Sequence, residues 1–103
     1  MMTIPKTVKV GGFTYTIEQT ENISSGTNYI GEILFNDLII RLRPIEENRM
    51  KHCMIHEIIH AIYDNLGFSD HDEQKIDMLA GALYALIVDN PEMFSGENDG
   101  ENK

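Results

Sequence analysis

The chain has 103 residues and a mass of 11.7 kDa, with 42% apolar and 24% charged residues, a size and composition typical of one globular domain. Acidic side chains outnumber basic ones 17 to 8, for a net charge of −9. Residues 1–51 carry six acids and six bases, so the whole excess lies in residues 52–103. This distribution excludes nucleic acid as a direct partner, because phosphates would be repelled, whereas an acidic half can hold a cation.

The sequence carries no pattern typical of export or of a membrane span. Cys53 is the single cysteine and cannot form an internal disulfide. The first ten residues lack a basic start followed by an apolar run. The longest apolar stretch, residues 78–88, is about half of the ~20 residues that a span requires. We therefore expect a cytoplasmic protein that does not enter a membrane.

The first predicted element is a β-hairpin at residues 7–18. Apolar and polar side chains alternate along this stretch, as they do in a strand with one buried face. Gly11 and Gly12 lie between its two halves and favour a two-residue turn.

A second hairpin is predicted from two β-rich runs at residues 29–35 and 38–43. They are joined at Asn36 and Asp37, which are common turn residues. Pro44 ends the alternating pattern. The two hairpins together predict a small antiparallel sheet.

A helix is predicted from Ile45 to Gly67. Gly67 suits the position just after a helix, where a positive φ is needed. Apolar residues recur at helical spacing at Met50, Cys53, Met54, Ile58, Ile59, Ile62 and Leu66.

A second amphipathic helix is predicted after a short loop, with Ser69 or Asp70 as N-cap and an end near Pro91. Its apolar positions are Ile76, Leu79, Ala80, Leu83 and Ile87. Residues 95–103 contain no apolar side chain, so we predict one domain at residues 1–94 followed by a solvated acidic tail. The predicted fold class is α+β, a small sheet followed by an αα-hairpin.

The first predicted helix contains a His-Glu-x-x-His motif formed by His56, Glu57 and His60. Residues four apart are rotated by about 40° on a helix, so both imidazoles leave one face, one turn apart, and can bind the same Zn²⁺. Glu57 lies beside them, close enough to take a proton from a water whose pKa the metal lowers toward about 7 and to pass it to a leaving amine. This is the chemistry of metal-assisted peptide hydrolysis.

The alternative is that these side chains are only the polar seam of an amphipathic helix. The motif has three fixed residues and also arises by chance. The neighbouring positions are uncharged and mostly bulky: Met54, Ile58, Ile59, Ala61 and Ile62. Such a helix is buried on several sides, which favours a metal site over an exposed seam.

A catalytic zinc site takes three protein ligands and leaves one position open, so a third ligand must come from elsewhere. Glu73 and Asp77, one turn apart, extend the face of the second helix that points to the first. The alternative is that Glu73 closes a capping box with Asp70 while Asp77 is solvated. In a strictly antiparallel hairpin, His60 lies ~10 Å from the turn along the helix axis. Asp77 matches that distance better than Glu73 does. A different crossing angle of the helices and the longer Glu side chain would offset this mismatch for Glu73. Both carboxylates are therefore candidates.

Peptide hydrolysis also needs a donor to the oxyanion, for which Tyr63, Tyr84 and His71 are candidates. The alternatives are core packing for the tyrosines and capping or solvation for His71. His52, one turn before the motif, is a candidate partner of a metal ligand, although a histidine near a helix start is more typically exposed. Cys53 is expected to be a small buried side chain rather than a nucleophile.

The segment HEIIHAIYDNLGF, the following E-x-x-x-D and the segment LAGALYALIVDNPEMF resemble the small, phage-type members of the ImmA/IrrE-like zinc metallopeptidases, which are gluzincins. The resemblance covers residues 29–94, roughly two-thirds of the chain, and the first hairpin matches only loosely. It implies a zincin-like core in which Glu73 is the third ligand and Asp77 supports His56 or His60. Only twelve residues separate His60 from Glu73, fewer than in larger gluzincins, so Asp77 is kept as an alternative ligand.

The resemblance also implies what the protein acts on. Substrate would bind along an edge strand beside the metal helix, at residues 29–35 or 38–43. Relatives cleave or bind helix-turn-helix repressors of mobile elements, so the expected function is a zinc-dependent endopeptidase whose protein or peptide substrate is a transcriptional repressor. Two other hypotheses are kept: a zinc-binding, non-catalytic module that binds a regulator without cleaving it, and a structural zinc clamp with four protein ligands.

Overall fold

Four strands precede three helices within residues 3–94. The structure, a computed structural model, describes residues 3–94, so the tail predicted at residues 95–103 lies outside the described residues. In chain order the elements are β1 (Thr7–Val10), β2 (Phe13–Gln19), β3 (Gly31–Leu34), β4 (Ile39–Leu42), α1 (Glu47–Asn65), α2 (Glu73–Asp89) and α3 (Pro91–Phe94). The predicted α+β class is confirmed.

Both predicted hairpins are present. β1 and β2 pair antiparallel around Gly11 at φ 59° and Gly12 at φ 90°, two positive values that a type I′ turn requires and that glycine adopts without a Cβ clash. β3 and β4 also pair antiparallel, and their turn passes through Leu38 at φ 56°. A leucine in this left-handed conformation is strained, so the second turn is the less relaxed of the two.

The sheet is mixed, which corrects the prediction of an antiparallel sheet. The strand order is β1-β2-β4-β3, and β2 and β4 are parallel, with Ile17 opposite Ile40. Turn residues specify pairing only within a hairpin, whereas burial decides how the two hairpins meet. β4 carries Ile40 and Leu42, both fully buried, and takes a central place. Residues 38–43 therefore cannot supply the predicted edge for substrate, whereas β3 is an edge strand.

A row of charged side chains crosses the outer face of the sheet. Alternation along β4 points Arg41 away from the core, and the register places it beside Glu18 and Glu32. Arg41 contacts these two carboxylates at 3.1 and 3.2 Å. Glu32 is buried and also accepts hydrogen bonds from the amides of Ser24 and Ser25 and from the Ser25 hydroxyl. Glu32 therefore anchors the loop that leads into β3.

This anchor is expected to make the fold sensitive to acid. Burial acts to raise the pKa of the Glu32 carboxyl, but hydrogen bonds from Ser24, Ser25 and Arg41 outweigh it and lower the pKa from 4.5 to about 2. Because the folded-state pKa is depressed, the stabilisation is complete above about pH 4.5 and is lost as the pH falls toward 2. With allowance for screening by solvent, the free energy of unfolding should fall by about 2 kcal/mol across that window.

Urea unfolding at about pH 5 and about pH 2 measures this loss. Glu32→Gln cannot titrate and should be less stable than the parent at the higher pH, with a much smaller further loss in acid. The same loss in the variant and the parent would show that other carboxyls are responsible.

α1 begins two residues later than the predicted start at Ile45. Glu46 is the N-cap, and its carboxylate accepts hydrogen bonds from the amides of Asn48 and Arg49. The first helical residue is therefore Glu47. A glutamate cap is uncommon, which is why the sequence pattern did not single it out.

The predicted end of α1 at Gly67 is confirmed. Gly67 has φ 86° and donates its amide to the carbonyl of Asp64 at 3.0 Å, while the amide of Phe68 donates to the carbonyl of Tyr63 at 3.0 Å. These two bonds form a Schellman motif. The rings of Tyr63 and Phe68 also pack edge to face at 5.4 Å, which fixes the direction of the loop that follows.

The N-cap of α2 is Asp72, which corrects the prediction of Ser69 or Asp70. The Asp72 carboxylate accepts a hydrogen bond from the amide of Lys75. The two residues considered as caps stay in the connecting loop, because this loop continues far enough to bring His71 against α1. The capping box between Asp70 and Glu73, considered as the alternative to a metal-binding role for Glu73, is not formed, because Asp72 is the N-cap.

α2 packs on α1 and has no contact with the sheet in the described part of the chain. Ile76 and Ala80 are fully buried in this packing, as predicted. Leu79, predicted on the same face, is 50% exposed.

The short α3 was not predicted. Pro91 starts it, a position where the missing amide proton costs nothing. Within residues 3–94, no helix has the length and apolar character that crossing a bilayer requires.

Candidate metal centre

His56 and His60 project from one face of α1 toward the first turn of α2. Nε2 of His56 lies 3.0 Å from one carboxylate oxygen of Glu73, and Nε2 of His60 lies 2.9 Å from the other. The helices cross so that the first residue of α2 reaches the height of both histidines. This removes the mismatch that a strictly antiparallel hairpin would impose between His60 and Glu73.

This set of donor atoms fits a metal ion. One ligand atom from each of His56, His60 and Glu73 lies within 4.8 Å of the other two. Ligands at ~2.0–2.1 Å from a tetrahedral ion lie about 3.3 Å from one another, so small side-chain shifts suffice. Two imidazoles and a carboxylate are also ligands that zinc accepts in sites with an open position. The three residues could therefore hold a metal ion.

Asp77 contacts the other nitrogen of His56. Its Oδ1 lies 3.2 Å from Nδ1 of His56. A carboxylate at Nδ1 holds the proton there and leaves the lone pair on Nε2, the nitrogen that faces Glu73. The same Asp77 oxygen lies 4.0 Å from Nε2 of His52. Asp77 thus orients His56, and Glu73 is the carboxylate that contacts both histidines of the motif.

His71 supports His60 in the same way. Nδ1 of His60 lies 2.8 Å from Nδ1 of His71, and Nε2 of His71 lies 3.0 Å from the carbonyl oxygen of Phe68. A carbonyl can only accept, so Nε2 of His71 carries a proton, and Nδ1 of neutral His71 accepts from His60. With its proton at Nδ1, His60 would offer the lone pair of Nε2 to a metal ion held between this nitrogen and Glu73. The structure places the candidate oxyanion donor His71 against Nδ1 of His60.

Burial sets the protonation of the two most enclosed groups of the site. His60 is 7% exposed, and burial lowers the pKa of its imidazole, although Glu73 opposes this. Glu57 is also 7% exposed, and burial raises the pKa of its carboxyl from 4.5 to about 7, with His56 opposing the rise and Glu73 adding to it. A neutral imidazole is a competent ligand, and a carboxyl with a pKa near neutrality can both take and return a proton.

Glu57 lines a cleft of about 390 Å³ together with two of the three candidate ligands, His56 and Glu73. The edge strand contributes Gly31 to this cleft, and the loop before it contributes Asn28 and Tyr29. A Cβ at Gly31 would lie 2.6 Å from Sγ of Cys53, so α1 approaches β3 closely because this residue is glycine. Burial raises the pKa of the Cys53 thiol to about 12, which keeps it protonated and unreactive at neutral pH.

Two cationic or titratable side chains line the cleft from the start of α1. They are His52 and Arg49. In the sequence, His52 was named as a candidate partner of a metal ligand, but Arg49 was not identified as a residue of the site. Arg49 precedes His56 by seven residues, two helical turns, so both leave the same face of α1. Helical spacing was therefore a signal that pointed to Arg49. It brings an exposed positive charge to a cleft that is also lined by three carboxyl groups, those of Glu57, Glu73 and Asp77.

The two tyrosines considered as oxyanion donors do not line this cleft. The Tyr84 hydroxyl donates to Oδ1 of Asn48 at 3.0 Å. The Tyr63 ring packs edge to face against Phe68 and His71.

A second cavity, of about 380 Å³, lies beside Glu18 and Arg41. These two charged groups pair with each other, and no histidine lines the cavity. It therefore offers no comparable set of metal ligands.

Comparison with protein-family models, with curated proteins and with solved structures finds no match to this chain.

Proposed function

We propose that this protein is a zinc-dependent metallopeptidase that hydrolyses peptide bonds of a protein substrate. His56, His60 and Glu73 hold the zinc ion, and Glu57 is the general base. The observation that carries the proposal is that ligand atoms of His56, His60 and Glu73 come together beside an open cleft, which His56, Glu73 and the buried carboxyl of Glu57 line. Two imidazoles fixed by hydrogen bonds at Nδ1 and a carboxylate beside them are the parts that metal-assisted hydrolysis needs.

Zinc, when bound, supplies a Lewis acid that polarises the scissile carbonyl and acidifies water. Glu57 accepts a proton from the attacking water as the new C–O bond forms, and it delivers that proton to the nitrogen of the leaving amine as the C–N bond breaks. Asp77 and His71 hold the two imidazoles in the required tautomer throughout.

The edge strand β3 is proposed to bind the substrate backbone. Gly31 lies in the cleft, and the outer edge of β3 is unpaired within the described sheet. An extended peptide can add to such an edge by main-chain hydrogen bonds, which would carry it past the metal-binding residues. The substrate class that the sequence resemblance implies, helix-turn-helix repressors of mobile elements, is retained as part of this proposal.

The exposure of Glu73 supports an open, catalytic type of site over a structural clamp. The Glu73 side chain is 68% exposed, and the described residues offer no fourth histidine, cysteine or carboxylate ligand in the same group. A structural zinc site is closed by four protein ligands, whereas a catalytic site leaves one position to water. The ligand count therefore favours catalysis.

Peptide cleavage with controlled metal content tests the proposal. The metal-free protein and the protein loaded with one equivalent of Zn²⁺ would be incubated with a proteome-derived peptide library in ¹⁸O-labelled water. We expect new labelled carboxyl termini with the zinc-loaded protein only, and their loss on chelation. His60→Ala is the control for contaminating proteases.

Two outcomes would contradict the proposal. Cleavage that survives chelation would place the chemistry elsewhere. Tight zinc binding with no new termini, at any zinc occupancy, would favour a non-catalytic module that captures a regulator through the same cleft.

A further inference from the structure

The outward face of α2 is apolar and uncovered. Met78, Leu79 and Leu86 are 67%, 50% and 45% exposed, and Ala82 and Ala85 lie exposed between them. No charged residue occurs between Asp77 and Asp89. Among the described helices and strands α2 packs only against α1 and α3, and the exposure of these side chains shows that nothing in the described part of the chain covers this face. An uncharged stripe of this length on a helix is typical of an interface.

The spacing of the stripe matches a helix pair. Spacings of three, four, three and four residues keep side chains along one line of contact between two helices. Five residues of α2 follow this repeat, and we call them the seam: Lys75, Met78, Ala82, Ala85 and Asp89. All five are exposed. The seam therefore has a charge at each end, an apolar section between, and alanine in the middle.

The two charges are placed symmetrically about Ala82. Lys75 precedes it by seven residues and Asp89 follows it by seven. In an antiparallel pair of identical helices centred on Ala82, Lys75 of each copy lies beside Asp89 of the partner subunit. The dimer therefore has two symmetric Lys–Asp contacts. Met78 then lies at the level of Leu86 of the partner subunit. The geometry points to a second copy of this chain as the occupant of this face: we propose an isologous dimer formed by two antiparallel α2 helices.

Three further features support this partner. Alanine at the centre lets the two helices approach closely, as small residues do at helix crossings. The seam has no net charge, so a chain with a net charge of −9 can still meet its copy along it. In the antiparallel arrangement the exposed Met93 and Phe94 of one copy lie at the end of the pair where Leu66 and Phe68 of the other are exposed. More apolar surface thus becomes available for burial.

The dimer leaves the metal-binding side free. Glu73 and Asp77 face α1, and the seam residues lie on the opposite side of α2. The inference therefore goes beyond the proposed peptidase function and does not depend on it. Zinc content reports on the metal centre and molecular mass reports on the seam, so failure of either idea is recognisable separately.

Variants that exchange the charges of Lys75 and Asp89 test the dimer. Sedimentation equilibrium and light scattering measure the molecular mass and the dissociation constant of the dimer. The full chain should have a mass of twice 11.7 kDa. Lys75→Glu and Asp89→Lys each place like charges together at two symmetric points, so each should weaken the dimer about tenfold. The double variant, with both charges exchanged, should recover most of the affinity. Lys9→Glu makes the same charge change on an exposed lysine of β1 and should have no effect.

Ala82→Arg provides a second, independent variant. Its side chain would meet its own copy at the centre of the pair and should give a monomer that still folds, because position 82 is exposed. A monomeric wild-type chain up to its highest soluble concentration would overturn the proposal. So would a dimer whose affinity is unchanged by Lys75→Glu and Ala82→Arg, since the interface would then lie elsewhere or the face would serve a different protein.

Discussion

Glu57→Gln is expected to abolish peptide hydrolysis while leaving zinc bound. The amide keeps the size of the side chain but cannot accept a proton from water at neutral pH. Loss of a general base lowers kcat by about 10²–10⁴-fold. KM should change little, because Glu57 acts on the reacting atoms and does not hold the peptide in the cleft. Single-site cleavage of a fluorogenic peptide, taken from the library screen, measures both constants.

Unfolding cannot explain the expected loss. Burial raises the pKa of the Glu57 carboxyl, so in the metal-free protein its charge disfavours the folded state as the pH rises from 4.5 toward 7. Glutamine removes that charge, and the metal-free variant should unfold at a temperature equal to or above that of the parent at neutral pH. Glu47→Gln is the matched control, since Glu47 lies on the same helix with its side chain 67% exposed. A kcat for Glu57→Gln equal to that of Glu47→Gln would rule out Glu57 as the base.

Glu73→Gln is expected to lower zinc affinity more than substitutions of Asp77 do. Its carboxylate contacts Nε2 of both histidines, at 3.0 and 2.9 Å, and an amide oxygen replaces a charged ligand with a neutral one. The dissociation constant should rise by more than about 100-fold, the upper range seen for loss of a supporting group alone. Competition with a chromophoric chelator measures it. Glu92→Gln makes the same change at an exposed residue of α3 and should leave affinity unchanged.

Variants of Asp77 separate a ligand from a supporting residue. Asp77→Asn keeps an oxygen that can accept from Nδ1 of His56, so affinity should fall only slightly, whereas Asp77→Ala removes the acceptor and should weaken zinc binding by about 10–100-fold. If Asp77 were the third ligand, Asp77→Asn would lose as much affinity as Glu73→Gln. That result would reverse the assignment of the two carboxylates.

The sequence predicted the parts of the site that one helix determines. A spacing of four residues places His56 and His60 on one face whatever the rest of the fold does. The third ligand was less certain, because the height of Glu73 relative to His60 depends on how α2 crosses α1. Arithmetic on an antiparallel hairpin therefore favoured Asp77, and the observed crossing brings Glu73 to both histidines.

Features that depend on distant contacts were not predictable in the same way. The contact of His71 with His60 follows from the path of the loop before α2, which no local pattern specifies. The parallel pairing of β2 with β4 follows from burial of Ile40 and Leu42 in a central strand, whereas alternation and turn residues describe each hairpin only by itself. The sequence pattern placed Leu79 on the buried face of α2, whereas it belongs to the exposed apolar stripe. Apolar residues at helical spacing do not distinguish a core from an interface.

The metal content of the chain tests the central claim most directly. Protein purified without a metal-affinity tag would be analysed for bound metals before and after incubation with Zn²⁺ and removal of the excess. The account predicts one zinc ion per chain in the wild type and its loss in Glu73→Ala. A wild-type chain that retains no zinc after incubation would contradict the metal centre, and with it the proposed peptidase.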